Sequence, residues 1–466
     1  GAKIFSSLIV VFALMLSALA IPAPASAETV DVSDSITTES GETDMLGGGD
    51  HFFVRFGTDA AFGIVWGNED TENNVYFVAT KARYLGFAEV CDREGKMLSE
   101  DETIKIYTTY AVKLDNLLEF DDVNDDGILP YYRAFDAGSD EYTTYVSTEP
   151  LLKKVDLSTS WDASDVVEDD DGGMRTWTFG LTTTDEAYSL LDAGAEATVG
   201  DNKLNTFELT FRLEASLQEV DDASISQWRI SVQTGALAGW TYMTSERLEN
   251  MTASGKLMDY EVKWDQQIEG WDYDPANTNP VLMTEFQAVM MNGFPNAWMN
   301  ALMLAHMNAV GVMNCESTEG DMLEVNDTTE RLPIAERIET RLTFGTDWTG
   351  IGALTWASGV TVDGEPESVS AQVMSAYKVS SSETVAGHFM NFAGFVALGG
   401  IVFPGGNLIV YDPTFTSDAL VDVKLERSSI SLLVLVVLAV AVVAVIVVAT
   451  LFLVSRSKKP SKEAKK

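Results

Sequence analysis

Residues 207–218 read FELTFRLEASLQ, and this stretch decides the fold class. Its apolar residues occupy every second position, and polar or charged residues stand between them. A helical period of 3.6 residues would spread the apolar side chains around the helix, whereas a strand places them all on one face. The stretch therefore predicts a β-strand with one buried and one solvated face, as is typical of antiparallel sheets.

The same alternation recurs on both sides of this stretch. Alternating segments separated by turn residues predict further strands at residues 75–90, 104–114, 155–161, 177–181, 260–264, 354–362 and 369–379. Asp363-Gly364, between the last two segments, is typical of a hairpin turn. Strands with one apolar face bury it by pairing sheets face to face, so we predict a mainly β fold. The β-rich part of the chain would be an antiparallel β-sandwich, either one large sandwich or two in tandem.

Residues 295–313 interrupt the β pattern. The segment begins with a proline, which suits a first helical turn, and is apolar nearly all round, so we predict a short helical insertion. Met299, Met303 and Met307 would lie on one helical face beside His306. Thioether and imidazole ligands suit Cu(I), but methionine far more often fills a core, and we favour the core interpretation.

Two apolar segments flank the β-rich part. Residues 1–27 combine one basic residue, an apolar stretch and an Ala-Ser-Ala triplet, the pattern of a secretory signal peptide. Residues 430–454 are apolar except for one Ser and one Thr, and as a helix they would span the roughly 30 Å hydrocarbon core. The basic residues 455–466 predict a cytoplasmic tail. We therefore expect a type I single-pass protein of the plasma membrane that contacts the lipid bilayer through residues 430–454.

These segments divide the chain into regions of different character. They are a signal peptide (1–27), a flexible acidic lead (28–50), a first β domain (51–260), a second β region containing the helix (261–420), a juxtamembrane stretch (421–429), the membrane helix (430–454) and the tail (455–466). The motif Phe-Gly-Thr-Asp occurs at residues 56–59 and again at 344–347. Two copies of one domain would explain this repeat, and so would chance similarity between two strand ends.

Acidic residues dominate the chain. It holds 71 Asp and Glu against 30 Lys and Arg, a formal net charge of −41. Setting aside Lys3, the six basic residues of the tail and Glu463 leaves about −47 for the predicted ectodomain. Such a field repels nucleic acid and favours solubility, so we predict no nucleic-acid partner. A surface protein or a glycan stays open as a partner.

Residues 122–127 read DVNDDG and match the D-x-N-x-D-G pattern of calcium-binding loops. The side-chain oxygens of Asp122, Asn124 and Asp126 converge only if the chain turns sharply, which the following glycine permits. Ile128 would then add its backbone carbonyl. These residues are the candidate ligands of a structural Ca²⁺ ion, and we predict no other cofactor.

The last position of the pattern departs from the standard loop. Arg133 stands where a bidentate acid would complete the coordination, so another carboxylate, such as Asp136 or Asp140, has to replace it. The alternative is an acidic turn without metal. An ion here would bind weakly, with a dissociation constant of about 10⁻⁴ to 10⁻³ M. A second acidic run, residues 168–172, is interpreted as a solvated loop.

The two cysteines, Cys91 and Cys315, both fall in the predicted ectodomain, where a disulfide is chemically permitted. The sequence leaves open whether they form a bridge or remain two buried thiols. Asn250 and Asn326 begin Asn-x-Thr sequons and are candidate glycosylation sites.

Candidate catalytic residues are few. The chain holds 3 histidines and lacks the motifs of zinc proteases, serine hydrolases and phosphate-binding loops. Carboxylates are so abundant that no pair of them indicates a glycosidase. We predict no catalytic residue and favour a protein without enzymatic activity.

Residues 120–127, 269–275 and 399–406 precede the predicted span. In these stretches the chain resembles archaeal type I cell-surface proteins with a β-rich ectodomain, a group without an assigned activity. The resemblance implies a β architecture at the cell surface. We expect a non-enzymatic surface protein that acts in envelope structure, adhesion or surface interaction. The alternatives are an anchored ligand-binding or sensing module around residues 264–313 and a secreted-side hydrolase.

Overall fold

The computed structural model describes most of the chain between residues 36 and 424. The described ranges are 36–43, 47–57, 59–91, 97–129, 131–136, 141–146, 149–190, 202–234, 241–275, 277–293, 313–317, 332–344, 352–385 and 388–424. Both predicted membrane-directed segments, 1–27 and 430–454, lie outside them. The predicted helix over residues 295–313 also lies outside them, except for Met313, which begins a strand. No helix within these ranges is long and apolar enough to cross a membrane.

The described part of the chain is built of β-strands. In chain order they are β1 (Ile36–Glu42), β2 (Asp50–Phe56), β3 (Ala60–Trp66), β4 (Tyr76–Cys91), β5 (Met97–Asp121), β6 (Tyr131–Asp136), β7 (Glu141–Val146), β8 (Leu151–Asp156), β9 (Asp162–Ala163), β10 (Val167–Asp170), β11 (Met174–Ala187), β12 (Ser189–Leu190), β13 (Lys203–Thr234), β14 (Thr241–Glu269), β15 (Pro280–Gly293), β16 (Met313–Ser317), β17 (Leu332–Phe344), β18 (Gly352–Thr355), β19 (Gly359–Val362), β20 (Glu365–Ser368), β21 (Ser370–Val385), β22 (His388–Pro404), β23 (Leu408–Tyr411) and β24 (Thr414–Lys424). The predicted mainly β, antiparallel fold is confirmed, with one short parallel pairing between β4 and β13.

Strand β13 contains residues 207–218, and its side chains alternate as predicted. The apolar positions are all buried, and the positions between them are at least partly exposed. The buried residues are Phe207, Leu209, Phe211, Leu213, Ala215 and Leu217. β13 pairs with β11 on one side and β14 on the other. One face of this unit therefore forms one side of the main core.

Two layers of strands face each other across this core. One layer contains β2, β3, β4 and β5, and the other contains β11, β13, β14 and β24. Aromatic rings join the layers, because Phe52 meets Phe179 with 5.5 Å between ring centroids and Phe62 stacks on Tyr260 at 4.9 Å. The arrangement is sandwich-like.

Hydrogen bonds connect 22 of the strands into one network, and β6 and β7 form a separate two-stranded sheet. The main cluster of buried residues draws on both predicted β regions, from Ile36 to Phe415. The predicted boundary between residues 260 and 261 falls inside β14. The Phe-Gly-Thr-Asp motifs begin at the ends of β2 and β17, and each of these strands pairs with the strand that follows it.

A smaller core lies on the opposite face of β5, β15 and β22. Leu282 faces the main core whereas its neighbour Met283 faces the smaller one, as the alternation of a strand requires. The smaller core consists of Leu118, Phe120, Leu129, Leu151, Val281, Met283, Met374, Leu398 and Val402. Leu129 belongs to the loop after β5 and is fully buried, so this loop covers the smaller core.

Residues 36–42 differ from the prediction of a flexible lead over residues 28–50. They form β1, which pairs antiparallel with β2 along its whole length. Only Ile36 of this strand is buried. Backbone hydrogen bonds at a sheet edge can order a strand that lacks apolar side chains. The amino-acid composition of the segment gives no sign of these bonds. An ion pair between Glu39 and Arg55 adds to this pairing.

Two hairpins compare directly with predicted turns. Asp363 and Gly364 link β19 and β20 with φ angles of 53° and 87°, which confirms the predicted hairpin turn. The acidic run at residues 168–172, predicted as a loop, instead contributes to β10 and to the turn before β11. Its side chains are exposed, so their solvation is as expected.

Candidate metal centre

The candidate site lies where the chain leaves the sheet and returns to it. After β5, residues 122–129 lead to the hairpin β6–β7, and the chain comes back through Glu149 and Pro150 to β8. β8 pairs with β5, and the N–H of Asp121 donates a 3.1 Å hydrogen bond to the carbonyl of Pro150. The outgoing and returning segments therefore lie side by side at the base of the hairpin.

The outgoing loop makes the sharp turn that the sequence predicts. The carboxylate of Asp122 accepts hydrogen bonds from the N–H groups of Asp126, at 3.2 Å, and Gly127, at 2.9 Å. Asp126 in turn accepts one from the N–H of Ile128, at 2.8 Å. Gly127 has a φ of 67°, a conformation that glycine adopts without strain. These bonds fix the directions of both aspartate side chains.

Glu149 completes a cluster of three carboxylates. One oxygen from each of Asp122, Asp126 and Glu149 lies within 4.8 Å of the other two. The glutamate is 2% exposed, and within the described part of the chain neither of its oxygens has a hydrogen-bond partner. A buried carboxylate without a donor is costly, and in native proteins such a group calls for a specific explanation, such as an ion.

The burial of Glu149 and the neighbouring charges also shift its pKa. Burial, followed by the charges of Asp122 and Asp126, raises the pKa of Glu149 to about 7. The N–H of Asn124 opposes this rise without meeting the geometry of a hydrogen bond. None of the three carboxylates forms an ion pair with a described Lys or Arg. The cluster thus concentrates negative charge that a cation would neutralise.

The loop is held at both ends by residues distant in sequence. The N–H of Asn279 donates to the carboxylate of Asp121 at 2.9 Å, and its side chain donates to the carbonyl of Asp122 at 2.9 Å. Gln372 is buried and forms two hydrogen bonds with the backbone of Leu129, at 2.8 and 2.9 Å. These hydrogen bonds therefore hold the loop that carries the two aspartates in a fixed position.

Two of the four predicted ligands belong to the cluster, and a residue that was not predicted joins them. Asn124 is exposed, and its side-chain oxygen accepts a 3.0 Å hydrogen bond from the N–H of Asp126. The carbonyl of Ile128 stays a predicted ligand. Of the proposed substitutes for the missing acid, the side chain of Asp136 and the whole of Asp140 fall outside the described part.

Glu149 was missed because it lies beyond the twelve positions of the loop pattern. The register of the hairpin, from Tyr131 opposite Val146 to Asp136 opposite Glu141, carries the chain back to its starting point. An acid just before β8 therefore reaches the loop. A hairpin predicted over residues 131–146 is the signal that would have pointed to this residue.

The chemistry of the donors fits a hard divalent cation. The cluster offers only oxygen atoms, which Ca²⁺ accepts at about 2.3–2.6 Å with six to eight ligands in flexible geometry. Zinc and copper sites in proteins favour histidine, cysteine or methionine, and the cluster contains none of these. The residues present therefore fit calcium better than zinc or copper.

The other predicted sites lie wholly or partly outside the part of the chain that the structure describes. Cys91 ends β4 and Cys315 lies in β16, but their side chains fall outside the described set, so the disulfide stays a prediction. Asn250 lies in β14, and Asn326 is outside the described ranges. The same is true of the copper candidates Met299, Met303, Met307 and His306.

Two tryptophans of residues 264–313, the stretch considered as a ligand-binding module, pack in the interior, and the third, Trp298, lies outside the described ranges. Trp264 and Trp271 are both buried in the main core. The indole N–H of Trp271 is satisfied by Glu119 at 2.8 Å. Neither residue offers an exposed aromatic surface to a ligand.

Comparison with models of known protein families finds none that matches the chain, and comparison with curated proteins finds no match either.

Proposed function

We propose that the protein is a single-pass protein of the plasma membrane, with an acidic β-sandwich outside the cell that acts in envelope structure, adhesion or surface interaction rather than in catalysis. The observation that carries this proposal is the order of its segments. A signal-like apolar stretch, residues 1–27, precedes the β-rich region, and the apolar run 430–454 with a basic tail follows it.

The surface chemistry of the sandwich suits an external protein. On β13 the buried apolar face alternates with positions that carry Glu208, Arg212 and Glu214. The predicted ectodomain carries about −47, a charge that keeps a surface soluble and repels other acidic polymers. A partner would therefore be neutral or cationic where it meets this surface.

The short segment between β24 and the predicted membrane helix favours a role near the bilayer. β24 ends at Lys424, shortly before the apolar run begins at residue 430. β24 pairs with β14 and β18, so the last strand is part of the sheet network. A short connection of this kind holds the sandwich close over the lipid, as a coat or a membrane-proximal contact requires.

Surface labelling of intact cells tests this proposal. Cells that express the full chain with a tag after Lys466 are treated with a membrane-impermeant amine-reactive biotin. We expect the chain to be labelled before lysis, while an antibody reaches the tag only after permeabilisation. A matched chain without residues 430–454 is expected in the medium. A chain labelled only after lysis, or a truncated chain that stays in the membrane, would refute the proposed topology.

A further inference from the structure

We propose that Asp122, Asp126 and Glu149 bind one Ca²⁺ ion, which ties together the two ends of the β6–β7 hairpin. This site is independent of the cellular location proposed above, because it depends only on the folded chain. The ion would join the loop that leaves β5 to the segment that enters β8.

One observation points to an ion rather than to an ordinary acidic turn. Backbone hydrogen bonds of 2.8 to 3.2 Å hold Asp122 and Asp126, as they would in a turn without metal. The distinguishing observation comes from another part of the chain. Glu149, almost fully buried and with no described hydrogen-bond donor on either oxygen, directs its carboxylate to within 4.8 Å of those of both aspartates.

The charge balance favours a divalent cation. Asp122 and Glu149 are buried and Asp126 is exposed, so water screens the repulsion between the first two carboxylates poorly, and an ion of charge +2 would offset most of it. Neither oxygen of Glu149 has a hydrogen-bond partner among the described residues, so both could bind the ion in a bidentate manner, as the last acid of a calcium loop does. Asn124 and the carbonyl of Ile128 lie in the loop positions that supply further oxygens.

The ion would also hold in place two residues that cover the smaller core. Leu129 follows the loop and Leu151 follows Glu149, and both side chains are buried in that core. An ion between the outgoing and returning segments therefore holds two of the residues that cover the core. Without the ion, the loop and the start of β8 would open more readily than the rest of the sheet.

Thermal unfolding of the purified full chain in detergent tests the site. With Ca²⁺ at about 10 mM, well above the expected dissociation constant, Tm is expected to rise by about 2–3 °C relative to chelator. Mg²⁺ and NaCl at matched ionic strength measure the general screening of an acidic surface. An equal rise with all three salts, or no rise with Ca²⁺, would overturn the proposal.

The variant Glu149→Gln separates a metal ligand from a structural acid. It removes one of three repelling charges, so its Tm in chelator is expected to equal or exceed that of the wild type, while the rise with Ca²⁺ is lost. Glu367→Gln, an exposed residue of β20, removes the same charge elsewhere and should keep the full rise. A Glu149→Gln variant with a lower Tm in both conditions and an unchanged rise with Ca²⁺ would overturn the assignment.

Hydrogen exchange locates the effect. Ca²⁺ is expected to slow exchange at residues 122–129 and at Glu149 and Leu151, and to leave β11 and β13 unchanged, because only the former lie at the base of the hairpin. Protection spread evenly over the sheet, or protection that persists in Glu149→Gln, would contradict an ion at this site.

Discussion

The carboxylate of Glu149 lies within 4.8 Å of that of Asp126, although the whole β6–β7 hairpin separates the two residues in sequence. The pairing of β8 with β5 creates this contact, because it returns the chain beside its point of departure. The loop motif alone supplies only part of a coordination shell. The return of the chain supplies the acid that the motif lacks.

Gly127→Ala is predicted to weaken the site. Gly127 has a φ of +67°, and a Cβ there would lie 2.7 Å from the hydroxyl of Ser370. Alanine should lower the free energy of unfolding by about 1–2 kcal/mol and reduce the rise in Tm with Ca²⁺, because the turn aims the aspartates. Gly172→Ala is the control, with a φ of +62° but nothing within 4 Å. Urea unfolding with chelator and with Ca²⁺ measures both effects, and equal Ca²⁺ responses in the two variants would count against the prediction.

Glu119→Gln is predicted to destabilise the fold without abolishing the response to Ca²⁺. Glu119 is fully buried and accepts hydrogen bonds from Trp271 and from the N–H of Asp274, both at 2.8 Å. The amide turns one of these acceptors into a donor that faces a donor and removes the charge that pairs with Lys153 at 3.5 Å, at a cost of about 2–4 kcal/mol. Tryptophan fluorescence during urea unfolding reports the change, with Glu367→Gln as the exposed control. A variant as stable as this control would show that the hydrogen bonds contribute little.

The alternation of β13 predicts losses of stability of different size for neighbouring residues. Leu209 is fully buried in the main core, and Thr210 is half-buried on the other face. Leu209→Ala should lower the free energy of unfolding by about 2–5 kcal/mol, because it leaves a cavity. Thr210→Ala should cost less than about 1 kcal/mol. Chemical denaturation measures both variants, and similar losses would contradict the assigned faces of the strand.

The pair Asp265 and Asp412 is predicted to stabilise the protein in mild acid. Burial, followed by the hydrogen bond and charge of Asp412, raises the pKa of Asp265 from 3.8 to about 6, and Lys263 opposes this. A carboxyl with a higher pKa in the folded chain binds its proton more tightly there. Its contribution is therefore complete below the unfolded pKa and is lost as the pH rises through about 6.

Asp265→Asn tests this pH dependence. Because asparagine stays neutral, the Tm of the wild type minus that of the variant should be larger near pH 4 than near pH 7.5, by the linkage between proton binding and folding. Asp162→Asn, an exposed aspartate of β9, is the control. A difference that is the same at both pH values would rule out a raised pKa as the cause.

Residues whose pattern is local were predicted correctly. β13 follows from an alternation in which every apolar position is buried, and the β19–β20 turn follows from Asp363 and Gly364. The turn at residues 122–127 follows from its aspartates and Gly127, since their hydrogen bonds span only a few residues. Local hydrogen bonds and side-chain periodicity can be predicted from the sequence because they depend on residues only a few positions apart.

Features that depend on pairing between distant strands were not predicted. β1 is polar and is ordered by its hydrogen bonds to β2, and nothing in residues 36–42 alone records that partner. Glu149 is one acid among 71 acidic residues, and its burial results from the approach of β8 to β5. Trp271 lies in the stretch considered as a ligand-binding module, yet a buried acceptor, Glu119, allows it to pack inside the core.

The most direct test of the account is anomalous diffraction, at a wavelength where calcium scatters anomalously, from crystals of the full chain grown in Ca²⁺. We expect one peak between Asp122, Asp126 and Glu149, with carboxylate oxygens of all three at about 2.3–2.6 Å. A map without a peak at this position, with the carboxylate of Glu149 bonded to a protein donor instead, would contradict it.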